Sequence, residues 1–118
     1  MNSNQDKLLK QVNTDILFFF LLIVQSSISF YIINEKKKSI LNIPSINNNI
    51  ANNIYKNNRR LNFIISLYFF LNAYYSYQNA QTEEERNQEE LLTAATFFIL
   101  IGSFLYLPLG NSNLIIEN

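Results

Sequence analysis

Tyr68, Asn72 and Tyr75 stand at i, i+4 and i+7, with Ser66 close by. At helical spacing the first three share one face. They lie in a stretch, Leu61 to Tyr77, that holds no Lys, Arg, Asp or Glu. Hydroxyls and an amide in that pattern can form a path for water or protons. They can also hydrogen-bond to a neighbouring helix, at roughly 1 kcal/mol per bond. The second reading is the more economical of the two. The rest of the chain offers little other chemistry. There is no Cys, His or Trp, which excludes disulfides, Cys/His zinc sites, haem ligation by His and imidazole acid–base catalysis. No nucleophile–base pair or Gly-rich phosphate loop appears. No catalytic, cofactor-binding or metal-binding residue is therefore assigned. The acidic run from Glu83 to Glu90 could attract cations, but reads better as a solvated helix start.

The elements that position these residues are apolar. Three segments without Lys, Arg, Asp or Glu run from Ile16 to Ile33, Leu61 to Tyr77 and Leu91 to Leu109. At 1.5 Å per residue they make roughly 25–28 Å of helix, close to the ~30 Å hydrocarbon core of a bilayer. In lipid only helices and closed barrels satisfy the backbone, and three isolated segments cannot close a barrel. The expected fold is all-α, a single three-helix membrane unit over residues 1–118. Its transmembrane helices cover about 14–34, 60–79 and 83–108. Leu8, Leu9 and Val12 allow the first helix to begin near Asp6. Gln25, Ser26, Ser27 and Ser29 interrupt its apolar run, and the stripe of Gln25, Ser29 and Ser26 should face other helices.

Between the first two spans, Ile43, Ile46, Ile50 and Ile54 recur at helical spacing and Pro44 suits a first turn. This predicts a short amphipathic surface helix over about 44–57, with a disordered loop as the alternative. Thr82 and Glu85 form a capping box for the third helix. Ala95, Gly102 and Ser103 offer it a small-residue packing face, and Pro108 and Gly110 end it. Tyr74, Tyr75 and Tyr77 serve as interface anchors in a chain without Trp.

Nine basic and nine acidic residues cancel, so global charge implies no nucleic-acid partner. The first connection carries Lys36, Lys37, Lys38, Lys56, Arg59 and Arg60; the second carries five Glu and one Arg. The excess of Lys and Arg places the first connection and the C-terminus inside, and the N-terminus outside. Lys36, Lys37 and Lys38 are also positioned to touch anionic lipid. A cleaved signal peptide is not expected, because Ile16–Ile33 is longer than an h-region and no A-x-A-like site follows it. Heavy use of Asn, Ile, Phe, Tyr and Lys suits an AT-rich genome, as in an organelle.

The stretch Arg59-Arg60-Leu61-Asn62-Phe63-Ile64-Ile65-Ser66-Leu67-Tyr68-Phe69-Phe70-Leu71-Asn72-Ala73 resembles the second helix of chain 4L of NADH:ubiquinone oxidoreductase, respiratory complex I. Leu92-Thr93-Ala94-Ala95 followed by Ile101-Gly102 is similar to that family's Ala-rich third helix. The tail Leu114-Ile115-Ile116-Glu117-Asn118 is similar to its short aliphatic-acidic C-terminus. Two family glutamates, of helices two and three, fall on Tyr68 and near Phe97, so the resemblance implies the scaffold without those carboxylates. It implies a membrane-arm subunit supporting proton translocation in the mitochondrial inner membrane, or a bacterial inner membrane as the alternative. The N-terminus would lie in the intermembrane space and the C-terminus in the matrix. Other membrane subunits and the bilayer would be its partners. A structural accessory subunit of another respiratory complex or of ATP synthase is the alternative function.

Overall fold

A computed structural model describes residues 2–108 and 114–116. Three helices account for nearly all of them, with no strand among the described residues: α1 (Ser3–Ile40), α2 (Asn48–Gln78) and α3 (Glu83–Tyr106). Each start is explained by a polar side chain that takes an orphan backbone N–H. Asn2 Oδ1 accepts from the Gln5 N–H at 2.8 Å, and Gln5 Oε1 accepts from the Asn2 N–H at 3.2 Å, closing a reciprocal capping box. Asn47 caps α2 through the Ile50 N–H at 2.9 Å. Thr82 caps α3 through the Glu85 N–H at 3.1 Å, as its spacing predicts. The acidic first turn of α3 and the Lys pair in the last turn of α1 match the helix dipole.

The predicted surface helix over about 44–57 is not a separate element. Pro44 lies ahead of α2 rather than in its first turn, and α2 runs unbroken into the segment predicted as the second span. The physical reason is that no Gly or Pro occurs between Asn48 and Gln78. The Asn and Arg residues at 57–60 lower apolarity without breaking a helix. Asn62, Asn72 and the tyrosines of the second run keep α2 out of the set of helices long and apolar enough to cross a membrane. Among the described residues that set is α1 and α3.

The helices do not form a three-way bundle. α1 and α3 each pack on α2, and no α1–α3 packing occurs among the described residues. The Cα radius of gyration is 18.9 Å, against about 13.5 Å for a compact domain of this length. Apolar side chains are mostly outward: Phe20, Phe30, Leu91, Phe98 and Leu105 are all exposed.

The well-packed region is at the α1–α2 turn. Asn42 adopts a left-handed conformation (φ 58°) to reverse the chain, which Asn tolerates better than most residues. Buried Glu35 accepts from Lys38 Nζ and from the Ile46 N–H, both at 3.2 Å. The C-terminal residues dock there. Asn48 donates Nδ2 to the Ile115 carbonyl at 2.6 Å and accepts the Ile115 N–H at 2.7 Å, while Ser39 Oγ accepts from the Ile116 N–H at 3.1 Å. Ile115, 1% exposed, completes a cluster with Ile32, Ala51 and Leu114. Gly110, expected to help end the third helix, and Glu117 and Asn118 of the tail lie outside the described residues; α3 itself closes at Tyr106, just before Pro108.

The small-residue face expected on α3 is corrected. Ala95 is exposed, and a Cβ on Gly102 would meet nothing within 4 Å. Packing on α2 is instead aromatic, through Phe63–Phe104 and Phe70–Phe97 at centroid distances of 6.1 and 5.6 Å. Of the three small residues only Ser103 is buried. Aromatic rings fill the interface at a separation where small residues bring no gain. Gly102→Ala is therefore expected to stabilise the purified chain by about 0.5–1 kcal/mol through helix propensity alone. Thermal unfolding in detergent, followed by circular dichroism, measures this; a loss of stability would show that Gly102 is packed after all.

Candidate functional site: a carboxylate held between two helices

Antiparallel packing of α1 on α2 brings Tyr68 and Asn72 to a residue that precedes the first apolar run, Asp15. The Tyr68 hydroxyl donates to Asp15 Oδ1 at 2.5 Å, and Asn72 Nδ2 donates to the same oxygen at 3.4 Å. Asn72 Oδ1 in turn accepts from Gln11 Nε2 at 3.3 Å. The donors thus run in one direction, Gln11 to Asn72 to Asp15, with Tyr68 entering from the other side. A carboxylate that ends such a chain is held in one orientation by groups on a separate helix.

The surroundings of this contact are apolar. The Phe18 ring stacks on the Tyr68 ring at 3.8 Å and 8°. Phe69 meets the Tyr68 ring edge-on at 5.5 Å, and Phe19 packs on Phe69 at 5.1 Å. Ring pairs of this kind restrict ring orientation, so the phenol is aimed by Phe18 and Phe69, the latter backed by Phe19. Asp15 also lines a groove of about 550 Å³ between α1 and α3, floored by α2. Ser66 and Asn72 lie on its floor, and Glu89 stands on the α3 wall.

The pairing register decides the level of Asp15 along the helices. Phe18–Tyr68 and Asn58–Ser29 align α1 with α2, and Phe70–Phe97 aligns α2 with α3. Asp15 therefore lies beside Tyr68, in the middle of the run from Leu61 to Tyr77, and level with the middle of the apolar part of α3. The first apolar run is displaced toward the α1–α2 turn by about eight residues, roughly 12 Å. Each run by itself is free of charge, but the assembled helices are not.

Of the four residues singled out by sequence, the structure brings two together: Tyr68 and Asn72. Ser66 is buried on the groove floor and makes no bond to the Asp15 network among the described residues. Tyr75 is 62% exposed and stands apart from it, one turn beyond the Gln11–Asn72 contact. Asp15 and Gln11 were missed. Their sequence signal is an acidic residue abutting an 18-residue apolar run, in a helix expected to be under way already at Asp6, and it lies outside the uncharged segments. The expectation that the polar positions of α1 face other helices holds for Ser29, whose Oγ accepts from Asn58 Nδ2 at 2.9 Å. Gln25 joins that contact through its carbonyl, at 3.2 Å, whereas Ser26 is exposed. The acidic start of α3 is exposed too, and no group of three or more acidic residues with metal-holding geometry occurs among the described residues.

Comparison with protein-family models, with curated proteins and with solved structures gives no match.

The Asp15–Tyr68 bond should appear as a coupling energy. In a double-mutant cycle of Asp15→Asn and Tyr68→Phe, read by thermal or denaturant unfolding in detergent, an interaction of about 1–2 kcal/mol is expected. Strict additivity would mean that the two side chains act independently.

Proposed function

We propose that this chain is a three-span subunit of an energy-transducing membrane complex, a divergent counterpart of chain 4L of NADH:ubiquinone oxidoreductase. In this reading α2 and α3 cross at about 60–79 and 83–108, and α1 crosses in a stretch shifted toward its N-terminus from the expected 14–34, so that the Asp15–Tyr68–Asn72 cluster supplies a protonatable group inside the membrane arm. The spans exceed the two helices that qualify on length and apolarity alone; α2 enters as the third because it lies between them. The basic connection with Lys36, Lys37, Lys38, Lys56, Arg59 and Arg60 lies on the matrix side, and the N-terminus in the intermembrane space. The first three turns of α2, up to Arg59, then extend the second span beyond the hydrocarbon rather than lying along its surface.

The observation that carries this reading is the Asp15 carboxylate held by Tyr68 at mid-level of two apolar runs. An ionisable group there is costly and is retained where it serves a path or a pairing. Its position also bears on the resemblance. Tyr68 is where the family's helix-two glutamate falls, and a carboxylate reaches that place from α1 instead. The scaffold keeps an acid at this level while moving it from one helix to another. The exposed apolar faces of α1 and α3, and a radius of gyration well above that of a compact domain, support burial against lipid and neighbouring subunits. The same exposed faces support the second reading, a structural accessory subunit of another respiratory complex or of ATP synthase, in which the cluster only joins α1 to α2.

Two measurements separate these readings. Native purification of the membrane complexes is expected to place the chain with the membrane arm of complex I; migration alone or with another assembly sinks that assignment. Within the assembled complex, Asp15→Asn is expected to lower proton pumping at least tenfold while NADH-dehydrogenase assembly is retained. Unchanged pumping with intact assembly assigns the cluster to scaffolding.

A further inference from the structure

The groove between α1 and α3, at about 550 Å³, has the size of a small-molecule site. Its two ends differ. Asp15 and Asn72 share a level with Thr96 on the opposite wall, one residue from the Phe97 that packs on Phe70. Glu89 lies two turns further along that wall. Toward the α1–α2 turn the lining is apolar apart from Ser66 and Asn62, with Leu22, Ile65 and Ile99 prominent. Two acids and no Lys or Arg line the groove, so the field inside it is negative.

Three polar groups there have no hydrogen-bond partner among the described residues. Tyr68 and Asn72 both donate to Asp15 Oδ1, which leaves Oδ2 without a donor. The Glu89 carboxylate has none either. Ser66, 6% exposed on the floor, has no partner for its hydroxyl. None of the three is sealed away: the side-chain atoms that are both sealed and unpaired among the described residues belong to Asn58 and Arg59. Thr96 Oγ1 gives its hydrogen to the Leu92 and Thr93 carbonyls, at 2.9 and 3.1 Å, which leaves it as an acceptor.

These groups narrow the choice of occupant. A lipid acyl chain fills the apolar end but leaves the free carboxylate oxygen unmatched, which is costly away from water. A helix about 10 Å across, over the roughly 21 Å from Asn62 to Ser76, takes about three times the volume of the groove. Residues 114–116 dock beside Asn48, roughly 27 Å from Ser66 along α2, and leave the groove open. An ammonium on an apolar body matches both ends.

We infer that the groove binds a lipophilic amine, with its ammonium at Asp15 Oδ2 opposite Thr96 and its apolar body over Ser66 toward Leu22 and Ile99. Asp15 supplies the charge and Thr96 Oγ1 a second acceptor. The short side chain of Ser66 leaves room for the body. The site rests on the Asp15–Tyr68 contact but not on membership of complex I. Binding is read on the purified chain and membership by co-purification, so either can fail without the other.

The chain has two aspartates, Asp6 and Asp15. Labelling aspartate Cγ with carbon-13 therefore gives two carboxyl NMR signals, with exposed Asp6 as the control. Octylamine, protonated at pH 7, is titrated into the chain in a nonionic detergent. It should move the Asp15 signal saturably and leave Asp6 in place. Octanol, which has the same apolar body and no charge, should bind about tenfold or more weakly. Ser66→Leu fills the floor, and Thr96→Val removes an acceptor at nearly constant shape. Each should weaken octylamine binding about fivefold or more. If Ser66→Leu loses helicity by circular dichroism, Thr96→Val carries the test. Parallel shifts of Asp6 and Asp15 indicate adsorption to the micelle surface and overturn the inference. Equal binding of octanol overturns it too and assigns the groove to an acyl chain. Unchanged affinity in the variant that folds has the same force, as does an Asp15 signal that octylamine does not move.

Discussion

The carboxylate of Glu35 sets the register on which the rest of the structure depends. By accepting from Lys38 on its own helix and from the Ile46 N–H beyond the turn, it determines how α1 ends relative to where α2 begins. Both helices are rigid rods without an interior Gly or Pro, so a register set at the turn propagates along their length. Asn58 then meets Ser29, and further on Tyr68 meets Asp15. A change of one residue in the turn would rotate every later contact by about 100° around the helix. Docking of Ile115 through both polar groups of Asn48 packs the turn further and buries its apolar residues.

Polar and apolar surfaces are arranged in reverse of a water-soluble bundle. Hydrogen-bonded groups lie along the α1–α2 seam, and phenylalanines and leucines point outward from α1 and α3. In water such a chain would expose much of its apolar surface at about 25 cal/mol per Å². In lipid the same faces cost nothing, and the interior polar pairs become the specific contacts. The aromatic residues divide between the two tasks. Phe18, Phe69 and Tyr68 pack within the seam, whereas Phe30 and Phe98 face out.

Two charged side chains sit along α2 about three turns apart and differ in how they are met. Asp15 reaches Tyr68 and finds donors that orient it. Arg59 finds aromatic faces, and its Nε and Nη1 have no acceptor among the described residues. One is met by polar donors and the other, among the described residues, by ring faces. The difference follows from composition: α2 carries Lys56, Arg59 and Arg60 and no acid at all. Positive charge on this helix can be neutralised only by other helices, lipid or partners.

Much of the local structure was legible in the sequence. Thr82 and Glu85 marked the start of α3, Pro108 follows its end, and helical spacing put Tyr68 and Asn72 on one face. These features depend on hydrogen bonds between residues three or four apart, which composition and spacing record directly. What could not be read depends on partners far along the chain. The continuity of α2 through its polar turns, the outward turn of Ala95 and Gly102, and the meeting of Asp15 with Tyr68 across 53 positions belong to this group. By itself the sequence determined that the chain is helical, apolar in long runs and poor in reactive groups. Only the tertiary structure decided that a carboxylate from outside one run stands beside the middle of another. A helix is specified by neighbours within one turn, whereas the register between two helices is specified by contacts that the order of residues does not place side by side.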